Sequence, residues 1–191
     1  RDVAPSRGLG DVYKRQVDAV ILAIGSSPIT IKLEGMDKLQ HASAPEVLRH
    51  EVCPKGKVAV IGGGLVGLET ADTLATDGCD VTVLEMKDEI GSDLGSLRKI
   101  AVMMKLQQMQ VKMLPNSKVC KFTEEGIVLE DETLVPCNCA VFAVGFASND
   151  SHLLVEECEK RQIPCRVIGD AKSARRALDA IAEGFEAART L

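Results

Sequence analysis

Three glycines between an apolar run and a helix-forming segment could bind a phosphate group. Gly62, Gly64 and Gly67 follow the apolar residues 58–61 and lead into residues 65–75, which are rich in helix formers. Gly62 permits a tight turn, Gly64 has no Cβ to block a pyrophosphate, and Gly67 lets the helix pack close to the strand. The first turn of such a helix offers free N–H groups and the positive end of its dipole to phosphate oxygens.

An acidic residue follows the glycines at the spacing that a dinucleotide site requires. Glu85 ends a second apolar run, residues 81–84, and stands 18 residues after Gly67. A carboxylate about 20 residues beyond the glycines accepts hydrogen bonds from a nucleotide ribose. Strand, glycine loop, helix, strand and acidic residue therefore predict a dinucleotide-binding unit. The alternative is a glycine-rich turn in a βαβ unit that binds no ligand.

The composition narrows the class of protein and of partner. The 191 residues are 46% hydrophobic and 27% charged, which is typical of a globular chain. The net charge is −5 and only 3% of the residues are aromatic, and both argue against nucleic acid as a partner. No apolar run reaches the ~20 residues of a membrane span, and no secretory signal is recognisable. We therefore expect a cytoplasmic protein that binds no membrane.

The cysteines and histidines do not predict a metal site or a nucleophile. Seven cysteines, an odd number without disulfide spacing, suit a reducing compartment. Cys137 and Cys139 could be half of a metal site, but no second pair lies at ligand spacing, so we expect buried thiols at the start of a strand. We interpret His41, His50 and His152 as surface residues. We accordingly assign no catalytic residue and no metal ligand in this chain.

Hydrophobic periodicity predicts an alternation of strands and helices. Strands are expected at residues 17–24, 57–61, 80–85, 111–114, 117–122, 126–129, 134–144 and 166–168. Helices are expected at residues 65–76, 93–109, 153–161 and 174–191, with a short one near 45–50. In the helix over 93–109 the apolar positions recur at helical spacing: Leu94, Leu97, Ile100, Ala101, Met104 and Leu106. The pattern predicts an α/β fold, a Rossmann-like parallel sheet with helices and a small antiparallel β insertion.

Three strands end in similar ways, which indicates two related dinucleotide-binding units. The strand before Gly25 and the strand before Gly145 are both apolar and both stop at the glycine. A third strand ends in Gly169-Asp170. Such internal repetition is typical of a chain built from related units.

These residues resemble the flavoprotein reductases with two dinucleotide domains, in which an NAD(P)-binding domain is inserted into an FAD-binding domain. The strand ends at Gly25 and Gly145 match the family's domain ends, and Gly169-Asp170 matches its FAD-binding Gly-Asp. Residues 167–184 are similar to the closing segment of the old-yellow-enzyme-like NADH:flavin oxidoreductases, such as 2-enoate reductase and 2,4-dienoyl-CoA reductase. The bile-acid-inducible reductases belong to the same type. The resemblance covers residues 17–191.

The resemblance implies a cofactor role for each matching position. Glu85 would bind the adenosine ribose and repel a 2′-phosphate, which favours NADH over NADPH, while nearby Lys87 would soften that preference. Glu69 would lie near the nicotinamide or serve only in capping or packing. Asp170 would bind the ribityl chain of FAD, or else only cap a turn. The amide of Ala171, at the start of the closing helix, would face flavin or phosphate oxygens. The remaining positions implied in cofactor binding are Gly25, Gly62, Gly63, Gly64, Leu65, Val66, Gly67, Gly145 and Gly169.

The resemblance also implies that this chain is a fragment. The first FAD-binding glycine loop would lie upstream of residue 17, as would a barrel with FMN and an iron–sulfur cluster, if present. Residues 1–16 look like a non-native tail. Residues 17–30 would end the first part of the FAD domain, 31–54 would be a connector, 55–147 the NAD(H)-binding domain and 148–191 the closing FAD segment. Without upstream partners, the helix over 174–191 should expose apolar surface.

The implied activity is hydride transfer from NADH to flavin in an enzyme that reduces an unsaturated enoate or enoyl substrate. The small-molecule substrate would bind to an upstream domain. A fragment of a pyridine nucleotide-disulfide reductase or of an NADH oxidase is an alternative, and an upstream redox cysteine would decide for it. A non-enzymatic NAD-binding module is another. A simple Rossmann dehydrogenase is disfavoured, because no Tyr-x-x-x-Lys or catalytic His/Asp arrangement follows the glycines.

Overall fold

The computed structural model describes residues 17–191, so the tail predicted at residues 1–16 lies outside the described residues. The strands are β1 (Val20–Leu22), β2 (Ser26–Pro28), β3 (Gln40–Ser43), β4 (Lys57–Ile61), β5 (Asp80–Leu84), β6 (Lys112–Leu114), β7 (Val119–Thr123), β8 (Gly126–Leu129), β9 (Leu134–Pro136), β10 (Cys139–Phe142), β11 (Phe146–Ser148) and β12 (Cys165–Val167). The helices are α1 (Ala44–Leu48), α2 (Leu65–Thr76), α3 (Ser96–Gln108), α4 (His152–Lys160) and α5 (Ala177–Thr190). Short 3-10 turns occupy Met36–Lys38 and Gly169–Ala171.

The chain divides into two compact units. One unit is the continuous stretch 28–146, and the other combines the described residues up to Ser27 with 147–191. Strands β2 and β11 carry the chain across the two boundaries and pair with each other. The predicted connector, residues 31–54, packs within the continuous unit and contributes strand β3 to its sheet.

The continuous unit is built on a five-stranded parallel sheet in the order β3-β10-β4-β5-β6. Parallel strands covered on both faces must be apolar along their length. In β4, the four residues after Lys57 are all buried, and all four residues of β10 are buried. The parallel α/β architecture that the sequence predicted is confirmed.

The two faces of this sheet are covered by different layers. Side chains alternate along each strand, so Val58 and Val60 face one side and Ala59 and Ile61 the other. Helices α1, α2 and α3 cover the first face, with Leu68 and other aliphatic residues in the core. The antiparallel sheet β7-β8-β9 covers the second face, as the predicted β insertion required.

The discontinuous unit holds a smaller sheet. Strands β1 and β12 run parallel, with Val20 opposite Cys165 and Leu22 opposite Val167. Helix α5 carries an apolar face that is exposed, with Leu178, Ile181 and Phe185 between 67% and 75% accessible. This exposure confirms the predicted apolar surface along the closing helix.

Several predicted boundaries were wrong. The strand expected at 134–144 is two strands, because the chain turns between Pro136 and Cys139, where Asn138 bonds to the backbone N–H and C=O of Lys57. The strand expected at 17–24 is only Val20–Leu22. The apolar spacing in α3 does not mark one buried face, since Leu106 is buried but Leu97, Ile100 and Met104 are exposed.

A substitution at Gly67 tests how closely α2 must approach the sheet. A Cβ at Gly67 would overlap the carbonyl oxygen of Gly62 and reach 3.4 Å from the Cβ of Ala143. We expect Gly67→Ala to lower the free energy of unfolding by about 2 kcal/mol or more, because backbone must shift to admit the methyl group. Urea denaturation followed by circular dichroism measures the change.

Gly184 provides a matched control for that substitution. It also lies within a helix, but a Cβ there would meet only the Ile168 Cδ1 at 3.8 Å, an ordinary contact. Gly184→Ala should therefore stabilise the chain by up to about 1 kcal/mol through helix propensity. Equal effects of the two substitutions would contradict the close approach of α2 to the sheet.

Candidate functional site

The register of β4 and β5 brings the glycine loop and Glu85 to the same edge of the sheet. Ile61 pairs with Leu84, so Gly62 and Glu85 are the next residues after paired strand ends. The Gly62 N–H donates to the Leu84 carbonyl at 2.8 Å, and the Glu85 N–H donates to the Leu114 carbonyl at 3.0 Å. The carboxyl edge of a parallel sheet is where such folds bind ligands.

Gly62 occupies a backbone conformation that side chains rarely adopt. Its φ is +110°, and a Cβ would overlap the Ala143 carbonyl oxygen at the end of β10. The loop therefore passes close to two strand ends and turns directly into α2, which begins at Leu65. Gly64 precedes that helix and has no side chain to cap it.

The Glu85 carboxylate holds the glycine loop from the neighbouring strand. Its Oε2 accepts from the Gly63 N–H at 2.7 Å, and its Oε1 accepts from the Lys87 N–H at 3.0 Å. The side chain is partly buried, whereas Lys87 is exposed. Glu85 thus lies beside the glycines, where a ribose hydroxyl could reach it.

The first turns of α2 carry the remaining predicted positions of this site. The Leu65 N–H donates to Asp93, a residue that the sequence did not single out, at 2.9 and 3.1 Å. Val66 packs partly buried against the helix-side core. Glu69 forms an ion pair with Arg98 of α3 at 2.7 Å. Whether Glu69 also meets a nicotinamide stays a prediction.

A second group of predicted residues lies in the discontinuous unit. Ala23, Gly25, Gly169 and Asp170 line a cleft of about 390 Å³ together with residues of the loop into α5 and of α5 itself. The Asp170 carboxylate accepts from the Ser26 hydroxyl at 3.1 Å and from the Arg175 N–H at 3.3 Å. The carboxylate is therefore fixed at the cleft by the start of β2 and by the loop before α5.

Glu183, which the sequence analysis missed, holds the turn that carries Asp170. Its Oε2 accepts from the Gly169 N–H at 2.7 Å, and its Oε1 pairs with Arg175 and with Lys172. The hydrogen bond from Arg175, followed by that from the Gly169 N–H, lowers the pKa of Glu183 to about 2. Spacing along the sequence could not predict this contact, because Glu183 lies in the second turn of α5, 14 residues after Gly169.

One predicted position lies elsewhere than the sequence suggested. Ala171 was expected at the start of the closing helix, but α5 begins at Ala177, and Ala171 lies in the preceding 3-10 turn. Its amide is therefore not at that helix terminus. Gly145 lies in the continuous unit with φ +102°, where its carbonyl accepts from the Ile29 N–H at 3.0 Å.

The cysteine pair is buried, as expected of thiols at a strand start. Cys137 and Cys139 are 5% and 4% accessible. Burial raises the pKa of each thiol to about 11, so both stay protonated at neutral pH. All seven cysteines lie within the described residues, and all are free.

A further cleft lies at the opposite edge of the sheet. It has a volume of about 580 Å³ and is lined by residues before and along β3, among them Lys38, His41 and Cys53. This is the amino-terminal edge of the parallel strands, away from the glycine loop. We assign it no ligand.

The family model of the pyridine nucleotide-disulphide oxidoreductases matches residues 3–171. The chain belongs to this family. Proteins of the pyridine nucleotide-disulphide oxidoreductase family bind FAD and NAD(H), which confirms the predicted cofactors.

Curated relatives match nearly the whole chain. It is 36% identical to a bilirubin reductase of Mediterraneibacter gnavus over 181 residues, covering 91% of this chain and 28% of that protein. It is also 36% identical to a cinnamate reductase of Clostridium sporogenes over 182 residues, covering 91% and 26%. The chain therefore spans about a quarter of the length of these relatives.

A solved structure shows the same fold. A 2-naphthoyl-CoA reductase in complex with 2-naphthoyl-CoA superposes with a TM-score of 0.81 at 24% identity, covering 91% of this chain and 27% of that one. Together with the reductase relatives, this confirms the predicted resemblance to old-yellow-enzyme-like flavoprotein reductases. Among residues 17–191, no helix has the length and apolarity to cross a membrane.

The lowered pKa of Glu183 predicts a pH-dependent contribution to stability. Because the folded pKa of about 2 lies below the ordinary 4.5, the carboxylate stabilises the fold fully above pH 4.5. This contribution is lost as the pH falls towards 2. We expect Glu183→Gln to lower the urea midpoint at about pH 7, with the difference from wild type shrinking between about pH 5 and pH 2.

Glu186 on the same helix supplies the control. It forms an exposed ion pair with Arg189 at 3.0 Å and does not bond to the Gly169 turn. Because exposed pairs contribute little, Glu186→Gln should change the midpoint slightly at every pH. If the difference in urea midpoint between Glu183→Gln and wild type stays constant with pH, the ionised Glu183 carboxylate does not stabilise the Gly169 turn as described.

Proposed function

We propose that this chain is the NADH-binding, electron-input part of an FAD-dependent oxidoreductase. The observation that carries the proposal is the adjacency of the glycine loop and Glu85 at the paired ends of β4 and β5. A carboxylate beside a glycine turn and a helix start provides the groups that a dinucleotide needs: a ribose acceptor and phosphate donors. The membership of the family supports the same cofactor class.

The residues of the loop fit NADH. Gly62 turns the chain tightly and Gly64 adds no Cβ beside the start of α2. The first amides of α2 would donate to a pyrophosphate, in place of the Asp93 carboxylate that the Leu65 N–H contacts. Glu85 would accept the ribose hydroxyls while its other bonds hold the loop in shape. Its negative charge would disfavour the 2′-phosphate of NADPH, a preference that the exposed Lys87 softens.

The residues of the second cleft fit part of an FAD molecule. Asp170 offers a fixed carboxylate for ribityl hydroxyls, and nothing lies within 4 Å of the position of a Cβ at Gly25, so the backbone there is open. When bound, the two cofactors supply hydride transfer from the nicotinamide to the flavin. The chain's own residues bind and orient them. We assign no side chain of either site as a general acid or base. Hydride transfer between two bound cofactors does not require one.

We further propose that the complete enzyme reduces an unsaturated enoate or enoyl-type small molecule. The similarity to a cinnamate reductase supports this substrate class. The substrate would bind to the parts of the relatives that this chain does not span. The seven free thiols support a reducing, cytoplasmic setting.

An NADH oxidase or disulfide reductase is the second candidate. The chain is 32% identical over 179 residues to an NADH oxidase of Thermoanaerobacter brockii. A disulfide reductase would have to take its redox cysteines from elsewhere, because Cys137 and Cys139 are buried thiols with raised pKa. We prefer the enoate or enoyl proposal because the chain is more similar to the cinnamate reductase, at 36% identity, than to the NADH oxidase.

Cofactor titrations test the proposal. We expect the wild-type chain to bind NADH at least about tenfold more tightly than NADPH, because a carboxylate and a 2′-phosphate repel each other. Glu85→Gln should narrow this ratio, since it removes the charge but keeps an amide oxygen for the Gly63 N–H. Isothermal titration calorimetry with both nucleotides measures it.

The control is Glu89→Gln, an exposed position four residues further along that pairs with Lys99. It should leave the NADH-to-NADPH ratio unchanged. Equal wild-type affinity for the two nucleotides would refute the role given to Glu85. Failure to bind either nucleotide would refute the proposed function.

A further inference from the structure

The amino-terminal end of α2 already holds an anion that belongs to the chain itself. The Leu65 N–H donates to both carboxylate oxygens of Asp93, at 2.9 and 3.1 Å. A Cβ at Gly64 would lie 3.1 Å from the Asp93 Oδ2, so the carboxylate occupies the space that this glycine leaves open. That space is where the proposed function requires the pyrophosphate of the cofactor.

Asp93 is delivered by a segment that packs on the glycine loop, which we call the strap and define as residues 90–93. Ile90 is 6% accessible, and its side-chain carbons lie 3.2 Å from the position of a Cβ at Gly63. The Gly91 N–H donates to the Gly63 carbonyl at 2.7 Å. The strap therefore contacts the loop at successive positions, and the carboxylate at the helix start is its last contact.

The helix that follows the strap reinforces this placement. Arg98 in the first turn of α3 pairs with Glu69 of α2 at 2.7 Å, and Lys105 pairs with Asp72 at 2.7 Å. Helix α3, which follows the strap directly, is thus held against α2 by two ion pairs.

We propose that Asp93 is an affinity-determining residue of the nucleotide site, an internal ligand that the cofactor pyrophosphate must displace. The inference rests on the proposed function. Both anions use the same donor and the same positive end of the helix dipole, and two negative groups cannot share it without repulsion. In the absence of nucleotide, Asp93 stabilises the helix start. When the nucleotide binds, the Asp93 carboxylate leaves the Leu65 N–H. The cost of breaking that hydrogen bond lowers the observed affinity for the nucleotide.

The experiment compares two probes that differ in their phosphates. ADP-ribose carries the pyrophosphate, whereas adenosine has the base and ribose alone. We expect Asp93→Asn and Asp93→Ala to tighten ADP-ribose binding roughly 3- to 10-fold in calorimetric titrations, the scale of one charge at a helix terminus. Adenosine affinity should not change. The unliganded variants should melt at a lower temperature than wild type, because the helix start loses its anion.

Asp88→Asn is the matched control, because Asp88 is an exposed carboxylate of the same loop that forms no hydrogen bond or ion pair with α2 among residues 17–191. It should leave both affinities unchanged. Opposite shifts, with lower stability and tighter ADP-ribose binding, support the proposal, because a merely structural Asp93 would weaken both. If wild type binds ADP-ribose and both Asp93 variants bind it equally or less well, the inference is overturned while the proposed function stands. If no form binds ADP-ribose, the proposed function fails, and the inference fails with it.

Discussion

The pairing of β4 with β5 in register is the constraint on which the candidate site depends. Ile61 lies opposite Leu84, so the residues that follow them leave the sheet together. Had the register shifted by one residue, Val60 would have exchanged faces with Ala59 and the apolar layers on both sides would have been lost. The core therefore fixes the register, and the register fixes the distance between the glycine loop and Glu85. The function proposed for the glycine loop therefore depends on the packing of the apolar core on both faces of the sheet.

The same core explains why Gly67 has no room for a side chain. Helix α2 must lie close enough to bury Leu68 and Leu74 against the sheet, and at Gly67 that closeness leaves no room for a Cβ beside the Gly62 carbonyl. Aliphatic side chains fill the helix side of the sheet without a single aromatic residue among its buried members. Tight packing of small and branched side chains brings the helix start down onto the loop.

Local signals in the sequence predicted the parts of the structure that depend on neighbouring residues. The helix over Leu65–Thr76 has the predicted bounds because a glycine cluster precedes it and Asp77-Gly78 follows it. The family and the cofactors followed from the glycine loop, from Glu85 and from Gly169-Asp170. Strand β3 was missed because Gln40 and His41 are polar and exposed. A short edge strand needs only one good neighbour, here β10.

Contacts between distant residues could not be predicted in the same way. Asp93 is 28 residues from Leu65, and Glu183 is 14 residues from Gly169. Neither stands at a spacing that distinguishes it from other surface carboxylates. The exposed apolar residues of α3 were also misread, because helical spacing shows that residues share a face but not what that face meets.

A common physical requirement links these two missed carboxylates to Glu85. A backbone N–H at a glycine turn or a helix start has no partner within its own element and must find an acceptor. In this chain the Gly63 N–H meets Glu85, the Leu65 N–H meets Asp93, and the Gly169 N–H meets Glu183. A phosphate arriving at such a donor gains only the difference between its own hydrogen bond and the one it replaces. The affinity of such a turn for a phosphate therefore depends on how strongly the turn binds the chain's own carboxylate. That carboxylate competes with the phosphate for the same N–H.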